Sequence, residues 1–132
     1  MSMKLDLTGK VAIVTGSSRG LGRAMALALA KAGADIVITS RTRQSLLPVQ
    51  EELEKIGNKV LPIELDVRHQ ESIQAMAKKV IQTWGRVDIL VNNAGMNIRK
   101  PALELTWDEW DAVLDTNLKS VFFCSQAVAP FM

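Results

Sequence analysis

The stretch Thr15-Gly16-Ser17-Ser18-Arg19-Gly20-Leu21-Gly22 is the part of this 132-residue chain best suited to chemistry. It follows the apolar run Val11-Ala12-Ile13-Val14 and opens the alanine-rich segment from Arg23 to Ala32. A strand that ends in a glycine turn and feeds a helix makes a phosphate cradle. The first N–H groups of a helix have no partner within it and carry partial positive charge, so an anion settles there. Gly16 permits the tight turn, Gly20 lets backbone approach a pyrophosphate, and Gly22 lets helix and strand pack closely. Ser18, Arg19 and Leu21 fill the positions between. A glycine-rich turn alone is a weak sign, and the strand before it and helix after it give it weight.

Further candidate residues follow in order along the chain. Asp66-Val67 comes after a third apolar run, Asn92-Asn93-Ala94-Gly95 after a fourth, and Asn117 within a later helical segment. Together with the T-G-x-x-x-G-x-G spacing, this series resembles the short-chain dehydrogenase/reductase family over nearly the whole chain. The resemblance implies a nicotinamide dinucleotide cofactor. It implies that Asp66 accepts from the adenine amine and that Val67 packs on the ring. Asn93, Ala94 and Gly95 would lie against the cofactor, with the asparagine amides also tying neighbouring strands. Asn117 would be a catalytic helper whose backbone carbonyl holds a water in a proton relay.

The rest of that family's catalytic set is a serine and a Tyr-x-x-x-Lys pair, the tyrosine giving its proton as hydride reaches a ketone. This chain has no tyrosine. Lys119, Ser120 and Ser125 precede the family's serine strand and receive no role. Residues 1–132 are therefore expected to form one NADP-binding Rossmann-type domain that stops before the Tyr-x-x-x-Lys segment and is inactive alone. The activity expected of the parent protein is NADP(H)-dependent interconversion of a secondary alcohol and a ketone. The reading from another class is a non-catalytic nucleotide-binding or assembly module.

Cofactor choice is legible at the end of the second strand. An NAD site offers a carboxylate to the ribose 2′-hydroxyl, and an NADP site offers arginine to the 2′-phosphate. Here the residues are Ser40-Arg41, with no acid, and Arg19 would face the same place in the family geometry. Guanidinium suits phosphate through bidentate, charge-assisted bonds. NADP(H) is the cofactor expected, the alternative being two solvated arginines. Asp35 stands at the wrong end of that strand and reads as a turn residue.

For substrate, a small carbonyl or alcohol compound is expected. The segment Asn97-Ile98-Arg99-Lys100-Pro101-Ala102-Leu103-Glu104 resembles sugar-acid dehydrogenases of the gluconate 5-dehydrogenase type, and Arg99 could meet a carboxylate. An ordinary charged surface loop is the alternative, and 3-oxoacyl carrier-protein reductases look similar over the same region.

Positioning these residues requires alternating strands and helices. Val11 to Thr15 and Asp35 to Thr39 read as buried parallel strands, with a helix over Leu21 to Ala32 closed by Gly33. A second helix is expected with Ser45 as cap, Pro48 in its first turn and Gly57 as its stop. Val60 to Leu65 is a strand whose Pro62 suits a sheet edge. A helix over Gln70 to Trp84 ends at Gly85, and Ile89 to Asn92 forms a fourth strand. That strand carries neither proline nor charge and reads as interior. The capping box Thr106-Trp107-Asp108-Glu109 starts a long helix from Trp107 toward Met132. This order implies an α/β fold, a doubly wound parallel sheet of the Rossmann type with strand order 3-2-1-4, lacking later strands.

Hydrophobic residues make up 48% and charged residues 23%, and the net charge of +2 gives no argument for nucleic acid or an anionic membrane. The segment Met1 to Asp6 has no apolar signal core, and no run is long enough to span a bilayer. Cys124 is the only cysteine, which fits a cytoplasmic protein, and among Phe122, Phe123 and Val128 it reads as buried. His69, the only histidine, is expected to be solvated or to cap a helix, and no metal site is expected. Trp84, Trp107 and Trp110 are expected in helix packing. Val113, Leu114, Leu118, Val121, Phe122 and Cys124 cover more faces of the last helix than one core contact needs, so a homo-oligomer is expected.

Overall fold

The computed structural model describes residues 5–132, so most of the Met1 to Asp6 reading falls outside the described residues. Four strands alternate with helices: β1 Val11–Val14, α1 Gly20–Lys31, β2 Asp35–Ser40, α2 Leu47–Ile56, β3 Val60–Glu64, α3 Gln70–Trp84 and β4 Ile89–Val91. Two more helices follow, α4 Trp107–Leu114 and α5 Ser120–Val128. The strands pair in parallel in the order β3-β2-β1-β4.

The two-residue period of a strand divides β1 between two cores. Val11 and Ile13 join Val37, Met76, Val80 and Val128 on the face covered by α3 and α5. Ala12 and Val14 join Ala26, Ile36, Ile38 and Leu53 on the face covered by α1 and α2. Each fully buried Val, Ile or Leu contributes roughly 1.5–3 kcal/mol, and the central strands carry such residues on both faces. Alanines at 26 and 30 let α1 lie close against the sheet beside the glycine turn.

Pro62 pairs with Ile38 on β3, the outer strand, where its missing N–H leaves no gap in a ladder on the far side. β4 pairs only with β1 among the described residues. Asp88 fixes the start of both strands: its carboxylate accepts from the Val11 N–H at 2.8 Å and is gripped by Arg86 at 2.7 and 2.9 Å. Asp35 is the first residue of β2 rather than a turn residue, and its carboxylate accepts from the Lys59 N–H at 3.1 Å.

Four other expectations need correction. Ser45 does not cap α2 with its side chain, because a short 3-10 turn, Gln44–Leu46, intervenes. The last helix is not continuous: the Thr106–Glu109 capping box forms, but Asp115–Lys119 is a π turn between α4 and α5. There the Thr116 hydroxyl donates back to the Ala112 carbonyl at 2.8 Å, a bond that competes with regular helix geometry. Trp84 packs on the core, but Trp107 and Trp110 are 84% and 57% exposed. Cys124 is buried against the sheet and leaves the outward stripe to Leu114, Leu118, Val121 and Phe122.

Candidate functional site

The C-terminal ends of the parallel strands open into a cleft of about 540 Å³. Its lining brings together Gly16, Ser18, Arg19 and Gly20 from the glycine turn with Ser40 and Arg41 from the end of β2. Asp66 and Val67 follow β3, and Asn93, Ala94 and Gly95 follow β4. Leu21 and Gly22 lie outside the lining: Leu21 is 76% exposed, while Gly22 is buried beneath the turn. Asn117 is also outside it, although its neighbour Thr116 belongs to it.

The turn is held from both sides. Gly16 sits at φ +65°, and a Cβ there would come within 2.9 Å of the Ala94 Cα. A Cβ on Gly22 would lie 2.1 Å from the Gly16 carbonyl oxygen and 2.5 Å from Asn93 Nδ2. Asn93 Nδ2 donates to the Gly16 and Thr15 carbonyls at 3.0 and 3.2 Å. The Thr15 hydroxyl accepts the N–H groups of Asn93 and Ala94 at 2.9 and 3.0 Å. Thr39 fixes the other side, its Oγ1 accepting the Gly16 N–H at 3.1 Å while its own N–H donates to Ser17 Oγ at 2.9 Å. Such locked carbonyls and hydroxyls hold the turn in one shape.

What the turn presents is positive. Arg19 is the N-cap of α1 but makes no side-chain cap, and the first turn of α1 carries no acid. The start of the helix at Gly20 therefore opens onto the cleft without a side-chain cap, an arrangement that fits a phosphate. Arg19 and Arg41 are both exposed and make no ion pair among the described residues.

At the other end of the cleft, partial burial pushes the Asp66 carboxyl upward. The backbone N–H and guanidinium of Arg68 outweigh that and, with His69, hold it below the usual carboxylate value. Arg68 Nε lies 3.4 Å away and His69 Nε2 3.5 Å away. His69 occupies the N-cap position of α3 without a side-chain cap, so its partner is Asp66 instead. Asp66 keeps lone pairs to receive an amine donor.

Sequence reasoning missed several lining residues: Thr39, Thr42, Ser45, Leu65, Arg68 and Thr116. All but Thr116 lie within five residues of a strand's last residue, which is the signal that could have found them. Asn92 is absent from the lining and ties β4 to α5, its Nδ2 donating to Ser125 Oγ at 3.2 Å. Among the described residues no group of three or more His, Cys, Asp or Glu is placed to hold a metal. No helix there is long and apolar enough to cross a membrane.

A doubly wound parallel sheet with an uncapped helix start at its strand-order switch is the arrangement at which α/β folds receive nucleotides. The family profile for short chain dehydrogenase matches residues 10–132, and the chain belongs to that family. It is 44% identical over 124 residues to 2-dehydro-3-deoxy-D-gluconate 5-dehydrogenase of Escherichia coli, covering 94% of this chain and 48% of that protein. It is 37% identical over 128 residues to a 3-oxoacyl-acyl-carrier-protein reductase of Thermotoga maritima, covering 97% and 52%. L-sorbose reductase of Gluconobacter frateurii, solved with NADPH and L-sorbose, superposes with a TM-score of 0.93 at 34% identity, covering 98% of this chain and 50% of that one. The chain spans about half the length of the curated relatives it matches.

Proposed function

We propose that the cleft binds NADP(H) and that the protein carrying this chain interconverts a secondary alcohol and a ketone on a sugar acid. The observation that carries the cofactor reading is the presence in one cleft of Arg19 from the glycine turn and Arg41 after β2, neither in an ion pair among the described residues, with no carboxylate at the end of β2 itself. The uncapped N–H groups of α1 would receive the pyrophosphate, Asp66 the adenine amine, and Ala94 and Gly95 the nicotinamide side. Bound there, NADP(H) supplies or accepts the hydride.

This chain's own part in the chemistry is positioning. Asn93 and Thr15 lock the floor beneath the nicotinamide side, and Asn117 steadies the loop that follows. A developing alkoxide needs a placed proton donor, and the chain holds no tyrosine. In the proposed enzyme that donor, with its lysine and serine, lies beyond Met132.

The sugar-acid reading is supported by the gluconate-type relative and by Arg99 in the loop after Gly95. The reductase relative favours a second reading, a 3-oxoacyl thioester substrate. Residues 1–132 and the natural-length protein should be assayed side by side for NADPH oxidation or formation with both substrate classes. The long form should turn over at least one, and the short form should be slower by more than about 10²-fold, the usual worth of a general acid. Comparable turnover by the short form would refute the chemistry.

We also propose a reducing cytoplasmic setting, which the single cysteine supports, and self-association. Trp107, Trp110, Leu114, Leu118 and Phe122 leave exposed apolar surface from α4 through the π turn to α5 that suits a self-complementary contact. Light scattering on the natural-length protein should give a mass above the monomer, and a monomer would refute it.

A further inference from the structure

Ser45, which does not cap α2, turns back toward the cleft. Its hydroxyl lies 2.8 Å from the Thr42 carbonyl oxygen and 2.6 Å from Ser40 Oγ. All three residues line the cleft at the β2 end. A carbonyl can only accept, and each hydroxyl has one proton to give. With the Ser45 proton on Thr42, the short contact between the serines must be filled by the Ser40 proton. Ser40 then faces the cleft with lone pairs alone.

That arrangement distinguishes two ligands. A ribose 2′-hydroxyl can donate to Ser40, whereas a 2′-phosphate has only acceptor oxygens and meets the Ser40 lone pairs. For Ser40 to donate to a phosphate, Ser45 must turn its own proton to Ser40 and release the Thr42 carbonyl. We infer that Ser45 is a specificity-determining positioning residue, weighting this end of the cleft through Ser40 toward a 2′-hydroxyl and against a 2′-phosphate. The inference rests on the dinucleotide reading of the cleft and deepens it. Arg19 and Arg41 attract the phosphate, while the serine pair opposes it, so the preference for NADP(H) is moderated.

The test is a titration of NADPH and NADH against the natural-length protein and its variants Ser45→Ala, Ser45→Thr, Ser40→Ala and the Ser40→Ala/Ser45→Ala double variant. Removing the Ser45 hydroxyl frees the Ser40 proton and should raise the NADPH-to-NADH affinity ratio roughly three- to tenfold, the worth of one net hydrogen bond. Ser45→Thr keeps the hydroxyl and should keep the parent ratio. Without Ser40, removing Ser45 should leave the ratio unchanged. A Ser45→Ala variant that weakens both cofactors equally would show a merely structural role and overturn the inference. So would a ratio change that persists without Ser40. A parent that binds neither dinucleotide would overturn the cofactor reading itself, whereas binding of both with an unmoved ratio would overturn only the role of Ser45.

Discussion

Asn117 grips the Met96 backbone through two successive peptide groups: the Met96 N–H donates to its Oδ1 at 2.8 Å, and its Nδ2 donates to the Met96 carbonyl at 2.8 Å. The π turn at Asp115–Lys119 thereby reaches across to the loop that follows β4. π turns recur at functional sites because they re-aim side chains that a regular helix would place elsewhere. Asn117→Ala removes both bonds and should cost about 1–2 kcal/mol, at roughly 1 kcal/mol or less for each exposed pair. Amide exchange at Met96 should speed up while the β1 amides stay protected. An unchanged Met96 rate would show that the clamp does not hold the loop.

Gly22 has no room for a methyl group. Its Cβ would lie 2.1 Å from a backbone oxygen that is itself bonded to Asn93, so helix and turn must separate. Gly22→Ala should destabilise by about 1–3 kcal/mol or more, the usual range for overpacking. Urea unfolding should show the loss, and NADPH binding should weaken in step because the turn moves with α1. A variant with parent stability and parent affinity would contradict the packing.

Asp88 links strand starts to pH. Its hydrogen bonds from Arg86 hold its carboxyl below the usual 3.8, with the Val11 N–H and Lys10 adding to them. A depressed folded-state value means that its contribution is present above 3.8 and is lost as pH falls through the folded value. Asp88→Asn should therefore be less stable than the parent at pH 7, and the gap should close on acidification below about pH 4. Thermal unfolding from pH 7 to pH 2.5 reads this directly. A gap independent of pH would rule the ionised pair out.

Cys124 is 1% exposed, and burial pushes its thiol up to about 11. The thiolate is the reactive form, so the native protein should resist thiol reagents at pH 8 while the urea-unfolded chain labels rapidly. The raised value also means that stability falls as pH rises from 9.0 toward 11, where only the unfolded thiol ionises freely. Equal labelling of native and unfolded protein would place Cys124 outside the core.

The strand pattern was legible because buried parallel strands leave a plain mark: short β-branched runs, each bounded by a glycine, proline or asparagine. The glycine turn, Asp66-Val67 and Asn93-Ala94-Gly95 were legible for a related reason, since they follow strands directly and strand ends converge in a parallel sheet. The π turn was not legible. Asn117 signalled poor helix propensity, but the Thr116 bond to Ala112 and the reach of Asn117 to Met96 depend on tertiary placement. Ser45 misled for a similar reason. A serine ahead of an apolar helix pattern reads as a cap, yet here its hydroxyl is taken by Thr42 and Ser40. Trp107 and Trp110 misled by residue type alone, because nothing in the described chain covers their face of α4.

The proposed recognition of a 2′-phosphate at the β2 end of the cleft is tested most directly by calorimetric titration of NADPH and NADH against the natural-length protein and Arg41→Ala. The parent should bind NADPH more tightly than NADH. Arg41→Ala should weaken NADPH roughly ten- to hundredfold, the worth of about 1.5–3 kcal/mol for a charged contact, while NADH binding changes little. Equal affinity of the parent for the two cofactors, or equal loss of both in the variant, would contradict it.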